Sequence, residues 1–174
     1  MTVETRATFV SGWNADAMRA LESGRCDDPR EPGIQDIAWA ATMENDELGR
    51  TWGPPPAGAP EGSPPEGLMR VRQVVQWGWN PEVASQLEVP TLIIWGEFDS
   101  PLGGFRQDVA ELYDLVRNEN KLRFTVQCAG HTMQWERQRG ILHQFSKEWI
   151  KHGRVGGFDR GEFVVDTEGN LTPM

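Results

Sequence analysis

The chain has 174 residues and a formal net charge of −9, with 17 Lys plus Arg against 26 Asp plus Glu. Nucleic acids and anionic membrane surfaces bind clustered positive charge, so this composition argues against both kinds of partner. The length suits one domain of roughly 100–200 residues, and 38% hydrophobic and 25% charged residues are typical of a soluble globular protein.

Two further features of the composition bear on the cellular compartment. The N-terminus lacks the basic start and apolar block of a secretory signal, and no window approaches the roughly 18 apolar residues of a membrane span. The two cysteines, Cys26 and Cys128, have no metal-ligand spacing. We therefore expect a cytoplasmic protein whose two thiols are free, in preference to a disulfide.

Residues 1–80 are predicted to form a helical segment with a proline-rich connection. The stretch 11–24, SGWNADAMRALESG, offers Ser11 and Asn14 as caps and an apolar row that ends before a glycine. A second helix is predicted within 29–43. The stretch 53–67, GPPPAGAPEGSPPEG, contains six prolines and is expected to be an extended loop, followed by a short helix within 68–80.

The second half of the chain has the pattern of a parallel sheet. VPTLIIWG, residues 89–96, is an unbroken apolar run that predicts an inner strand, and LRFTVQ, residues 122–127, predicts a second strand. Amphipathic helices are predicted within 104–118 and 136–152, which completes a parallel strand–helix–strand unit with a covering helix. The tail, 153–174, is expected to carry a hairpin that turns near residues 168–170. The predicted fold class is therefore α/β.

A carboxylate and an imidazole follow the two predicted strands. Asp99 lies four residues after Trp95, and His131 lies four residues after Gln127. Catalytic groups of parallel sheets gather at the carboxyl ends of the strands, and neighbouring strands are about 4.8 Å apart. The pair therefore predicts a general base, His131, oriented by Asp99, as in nucleophilic acyl transfer.

Other residues compete for these roles or have ordinary explanations. Glu97 is the alternative carboxylate, but it follows its strand by only two residues. His143 and His152 fall in the last helix, where a solvated position explains them. A metal-dependent site built from Asp99, His131 and Glu136 has a spacing that matches no known metal pattern, so neither a metal nor a cofactor is expected.

The segments VPTLIIWGEFDSP and AGHTMQWE resemble the last two core segments of the α/β-hydrolase fold. The resemblance implies that Asp99 is the triad acid and His131 the triad histidine, with Glu136 at the position of the family's glutamate. It implies that residues 81–152 are the C-terminal part of the hydrolase core and that residues 1–80 are part of a helical cap. It also implies an esterase-, lipase- or lactonase-like reaction on a small ester-like substrate, although the same half-site serves aspartate-nucleophile dehalogenases and epoxide hydrolases.

The nucleophile of that family is missing from the chain. The family carries it in a Gly-x-Ser-x-Gly elbow, and none of the serines has both flanking glycines. The predicted sheet offers residues 89–96 one strong partner strand, 122–127, and one marginal strand near Phe163, and a two-stranded sheet is marginal. We therefore expect a partial hydrolase core, inactive alone, that pairs with a complementary N-terminal half or with itself. The alternative is a non-catalytic remnant that associates through its sheet edge.

Four tryptophans could line an acyl or alcohol pocket under the cap, although packing between cap and core is the favoured interpretation for all of them. They are Trp13, Trp52, Trp77 and Trp79.

Overall fold

The computed structural model of the protein describes residues 2–46, 51, 54–55, 58–63, 67–70, 81–99 and 105–174. These residues form a mixed α/β fold with a four-stranded sheet and a separate two-stranded ribbon. In chain order, the elements are β1 (Thr2–Glu4), α1 (Arg6–Glu22), α2 (Ile34–Asn45), β2 (Leu68–Arg70), α3 (Pro81–Ala84), β3 (Thr91–Gly96), α4 (Phe105–Leu115), β4 (Lys121–Val126), a 3-10 turn (Met133–Trp135), α5 (Arg139–His152), β5 (Gly161–Val165) and β6 (Leu171–Pro173).

The main sheet has the strand order β3-β4-β5-β6. Strands β3, β4 and β5 run parallel, and β6 pairs antiparallel with β5. The predicted parallel pair is thus confirmed, and so is the C-terminal hairpin, in which Gly169 adopts a φ of 89° in the turn. The marginal strand expected near Phe163 is β5: in the described part of the chain it adds to the free side of β4 and pairs with β6, so the sheet has four strands.

The order of the strands corrects the prediction that residues 89–96 form an inner strand. β4 and β5 have neighbours on both sides, whereas β3 lies at the edge of the four-stranded sheet among the described residues. Residues 91–95 are correspondingly only half-buried. In β4, Leu122, Phe124 and Val126 are fully buried and alternate with half-buried residues. The apolar run of β3 therefore lacks the two-sided burial that an inner parallel strand would have.

The core lies between the sheet and helix α5. The rings of Phe124 and Phe145 are 4.8 Å apart between centroids, and Phe124 also stacks on Phe163 of β5 at 5.6 Å. Ile141, Leu142 and Trp149 of α5 pack against the same cluster, as the helical row in the sequence predicted.

Helix α1 begins earlier than predicted. Thr5 is its N-cap residue. The Thr5 side chain accepts the backbone N–H of Thr8, and the Thr8 side chain accepts the backbone N–H of Thr5. Ser11 and Asn14, the expected caps, lie inside the helix, where the Ser11 hydroxyl donates to the Thr8 carbonyl. The reciprocal Thr5–Thr8 pair, which was not predicted from the sequence, satisfies two N–H groups at the start of the helix.

Helix α2 packs on α1 through aromatic side chains, with the rings of Phe9 and Trp39 5.4 Å apart. The helix predicted within 68–80 is wrong at its start, because Leu68–Arg70 is a strand that pairs antiparallel with Thr2–Glu4; residues 71–80 lie outside the described residues. The proline-rich stretch 53–67 has turns and no regular element where it is described.

Candidate active site

The loops that follow β3 and β4 leave the sheet at the same end, because the two strands are parallel. Gly96 pairs with Val126, so Asp99 follows its strand by three residues and His131 follows its strand by five. The equal offsets that the sequence suggested are therefore wrong. Gln127 has already left the β3–β4 ladder, and its N–H donates to the Val165 carbonyl of β5.

The two predicted side chains meet despite the unequal loops. His131 Nδ1 lies 3.0 Å from Asp99 Oδ1. The Asp99 side chain is 13% exposed and that of His131 is 68% exposed. A carboxylate at Nδ1 favours the tautomer with its proton on that nitrogen, which leaves Nε2 as the nitrogen able to accept a proton. This arrangement can orient a histidine for proton transfer at the carboxyl edge of the sheet.

Gly96 allows the two loops to approach closely. A Cβ at this position would lie 2.5 Å from the carbonyl oxygen of Gly130 and 2.7 Å from that of Ala129. The N–H of Phe98 also donates to the Ala129 carbonyl at 2.8 Å. The last residue of β3 must therefore be small for the His131 loop to lie over it.

Glu136 is buried beneath the loop that carries His131 and is hydrogen-bonded to it. Its side chain is fully buried, Oε2 accepts the Gly130 N–H at 2.7 Å, and Oε1 accepts the Thr132 hydroxyl at 2.9 Å. Burial raises the pKa of Glu136 above its ordinary value of 4.5, and the charges of Asp16 and Asp99 add to that rise, while the two hydrogen bonds oppose it. Glu136 thus contacts the backbone next to His131 and shapes the loop.

Glu97, the competing carboxylate, is directed elsewhere. Its Oε1 lies 2.5 Å from Arg25 Nη2, and its Oε2 accepts the Cys128 N–H at 3.2 Å. Asp99, and not Glu97, is therefore the carboxylate that the structure places 3.0 Å from His131 Nδ1.

The prediction of free thiols is wrong, because Cys26 and Cys128 form a disulfide. The fold brings the connection between α1 and α2 against the end of β4, a contact between residues 102 positions apart that no sequence pattern signalled. Cys128 is the one non-glycine residue among those described with a positive φ, 59°. The disulfide attaches the N-terminal helical segment, through Cys26, to the loop that leads to His131.

The same two sulfurs and Glu97 are the one group in the described part of the chain that could hold a metal ion, with ligand atoms within 4.8 Å of one another. The disulfide occupies both sulfurs, and metal binding needs thiolates. The alternative metal trio of Asp99, His131 and Glu136 is not such a group among the described residues, and Glu136 is bonded to its own loop.

Two residues at the site carried no sequence signal. Asp16 of α1 accepts the backbone N–H of His131. Arg19 of the same helix donates to the carbonyl of Phe98, in the loop that carries Asp99. Acidic and basic residues three apart on a helix are common on solvated faces, so only the tertiary contacts distinguish this pair.

The remaining candidates lie away from the Asp99–His131 pair. His143 and His152 are exposed on α5, as expected. Trp13 is 2% exposed and packs edge-on against Phe9, which agrees with a packing role; Trp52, Trp77 and Trp79 lie outside the described residues. A cavity of about 360 Å³ is lined by residues 28 and 30–36 with Arg137, and its lining includes neither Asp99 nor His131.

Comparisons of the chain with protein-family models, with curated proteins and with solved structures each found no match. In the part of the chain that the structure describes, none of the helices has the length and apolar character to cross a membrane. The cytoplasmic location stays a prediction.

Proposed function

We propose that the chain supplies the acid and the histidine of an α/β-hydrolase acting on ester or related bonds, with the nucleophile supplied by a complementary segment. The observation that carries the proposal is the 3.0 Å contact between His131 Nδ1 and Asp99 Oδ1. It is supported by the origin of both loops at the carboxyl ends of adjacent parallel strands, where such sheets gather catalytic groups.

In this mechanism Asp99 holds the His131 ring and stays ionised. His131 Nε2 takes the proton of a serine hydroxyl as its oxygen attacks the acyl carbon, and then gives that proton to the departing alcohol oxygen. A water molecule repeats the sequence to release the acid. The negative charge of Asp99 stabilises the imidazolium in both halves of the reaction.

We propose that the nucleophile comes from another segment, because the sequence contains no Gly-x-Ser-x-Gly, the elbow that carries the serine of that family. The sheet supports a complementary segment, since β3 has no strand on its outer edge among the described residues. An edge of unpaired N–H and C=O groups is suited to receive another strand. We propose that the missing half of the core pairs there, and that residues 1–80 serve as the cap.

The test is p-nitrophenyl ester hydrolysis by the chain alone and by the chain combined with a candidate nucleophile-bearing half. We expect turnover only in the combination. His131→Ala should lower its rate by about 10²–10⁴-fold, the usual contribution of a general base. His143→Ala is the matched control, an exposed histidine on α5, and should leave the rate unchanged. Equal rates for the two variants would contradict the proposal.

The edge of β3 also supports a second candidate function, a non-catalytic protein that associates through this strand. It predicts no ester turnover in any combination, together with a dimer or complex that dissociates when a proline replaces a residue of β3. Size-exclusion chromatography with light scattering would measure that association.

A further inference from the structure

An ion pair on helix α1, between a buried aspartate and a half-buried arginine, joins the two loops that carry Asp99 and His131. Asp16 is 2% exposed, and its Oδ2 accepts the His131 N–H at 2.8 Å. Its Oδ1 pairs with Arg19 Nη2. The same nitrogen of Arg19 donates to the carbonyl of Phe98, the residue before Asp99, at 3.0 Å.

The pair therefore spans the site through the backbone. One end holds the main chain of His131, and the other holds the peptide group that leads into Asp99. A charge removed from water is tolerated only where hydrogen bonds and an opposite charge compensate it. Arg19 supplies the opposite charge from the same helix, and the His131 N–H supplies a hydrogen bond that holds while α1 and the His131 loop keep this placement.

The space around the contact is fully used. A Cβ on Gly130 would lie 2.8 Å from Asp16 Cβ and 2.9 Å from both Asp16 Oδ2 and Glu136 Oε1. The two carboxylates thus enclose the peptide before His131, and each accepts one of two consecutive N–H groups. The loop backbone has little room to shift while both remain.

We infer that Asp16 and Arg19 are positioning residues that hold the His131 ring in contact with Asp99. The part of this inference that concerns the reaction rests on the proposed function. The geometric part concerns only the conformation of His131, and it can be measured in the chain without any substrate.

The test compares Asp16→Ala with Asp36→Ala. Asp36 is a matched control because it is an exposed aspartate of α2 with its own arginine partner, Arg6. In the isotopically labelled chain, amide hydrogen exchange is measured at His131 and at Phe124, which reports the stability of the core. Ring nitrogen chemical shifts of His131 report which nitrogen carries the proton.

We expect Asp16→Ala to speed exchange at the His131 amide by about ten- to a hundredfold more than at the Phe124 amide. This factor corresponds to the loss of one hydrogen bond to a charged group. The His131 ring should change from one tautomer to a mixture. Asp36→Ala should change neither signal. Equal acceleration at His131 and Phe124, with an unchanged ring, would overturn the inference by showing that Asp16 supports only the overall fold.

Two further variants keep the test informative if Asp16→Ala does not fold. Asp16→Asn retains an oxygen that can accept the His131 N–H. The His131 amide should therefore exchange more slowly in Asp16→Asn than in Asp16→Ala. Arg19→Met removes the donor to the Phe98 carbonyl and should disturb the ring signals while Asp16 remains. A wild-type ring signal in Arg19→Met would overturn the role of Arg19.

Activity in the combined enzyme separates the two proposals. If the combination is active, Asp16→Ala should lower kcat with little change in KM, and a wild-type kcat would overturn the positioning role. If the combination is inactive while the exchange and ring changes occur, the positioning stands and the hydrolase function fails.

Discussion

Removal of the Cys26–Cys128 disulfide should destabilise the protein by several kcal/mol. The bond closes a loop between residues 102 positions apart. In the chain-entropy description, a loop of about 100 residues restricts the unfolded chain by about 4.7 kcal/mol at 25 °C. Native disulfides typically contribute about 2–4 kcal/mol, so we expect about 3 kcal/mol for Cys26→Ser combined with Cys128→Ser.

The folded state should survive this change because other contacts hold the same region. Arg25 pairs with Glu97 beside the disulfide, and the N–H of Arg137 donates to the Pro29 carbonyl at 2.9 Å. The loss should therefore appear as a shift of the unfolding transition and not as a loss of secondary structure.

The measurement is urea unfolding at 25 °C, followed by tryptophan fluorescence in the wild type, the reduced wild type and the double variant. Thiol titration of the denatured, non-reduced protein should find no free thiol. A second double variant, with Cys128→Gly in place of serine, should regain about 1 kcal/mol because the positive φ at this position disfavours a side chain. A loss below about 1 kcal/mol in the serine variant would refute the entropy argument, whose smallest typical value is about 2 kcal/mol.

Three further predictions concern the site and the core. Because burial raises the pKa of Glu136, its protonated form is favoured on folding. Relative to Glu136→Gln, the wild type should therefore be most stable at low pH and lose stability as the pH rises through that raised pKa, which urea unfolding at pH 4.5–8 would measure. Gly96→Ala places a methyl group 2.5 Å from the Gly130 carbonyl, so it should cost about 1–3 kcal/mol and alter the His131 ring signals in NMR spectra. Phe124→Ala empties a fully buried site between two phenyl rings and should cost about 3–5 kcal/mol in the same unfolding assay.

The second half of the chain was predictable because its signals are local. The apolar runs of β3 and β4, the helical row of α5 and the glycine-containing turn of the C-terminal hairpin each specify an element within a few residues. The place of β3 at the sheet edge was not predictable, because strand order depends on where β5 pairs and not on the composition of β3.

The site was predictable only in part for the same reason. Asp99 and His131 follow recognisable strands, so their meeting could be expected. The contact from Asp16 crosses 115 positions of sequence, and the disulfide crosses 102. Leu68–Arg70 shows a related failure, since an apolar start that suits a helix instead pairs with Thr2–Glu4 at the other end of the segment.

The attachments of the N-terminal helical segment limit how a substrate could reach His131. A cap that opened by lifting α1 would have to break the Asp16 contact to the His131 N–H and move against the Cys26–Cys128 disulfide, which is covalent. Both attachments end on the loop that carries the histidine, so lifting α1 would also disturb the Asp99–His131 contact on which the proposed reaction depends. Under the proposed function, the substrate therefore reaches His131 from the solvent side of its ring, since the side chain is 68% exposed. Helix α1 then lines the site without moving.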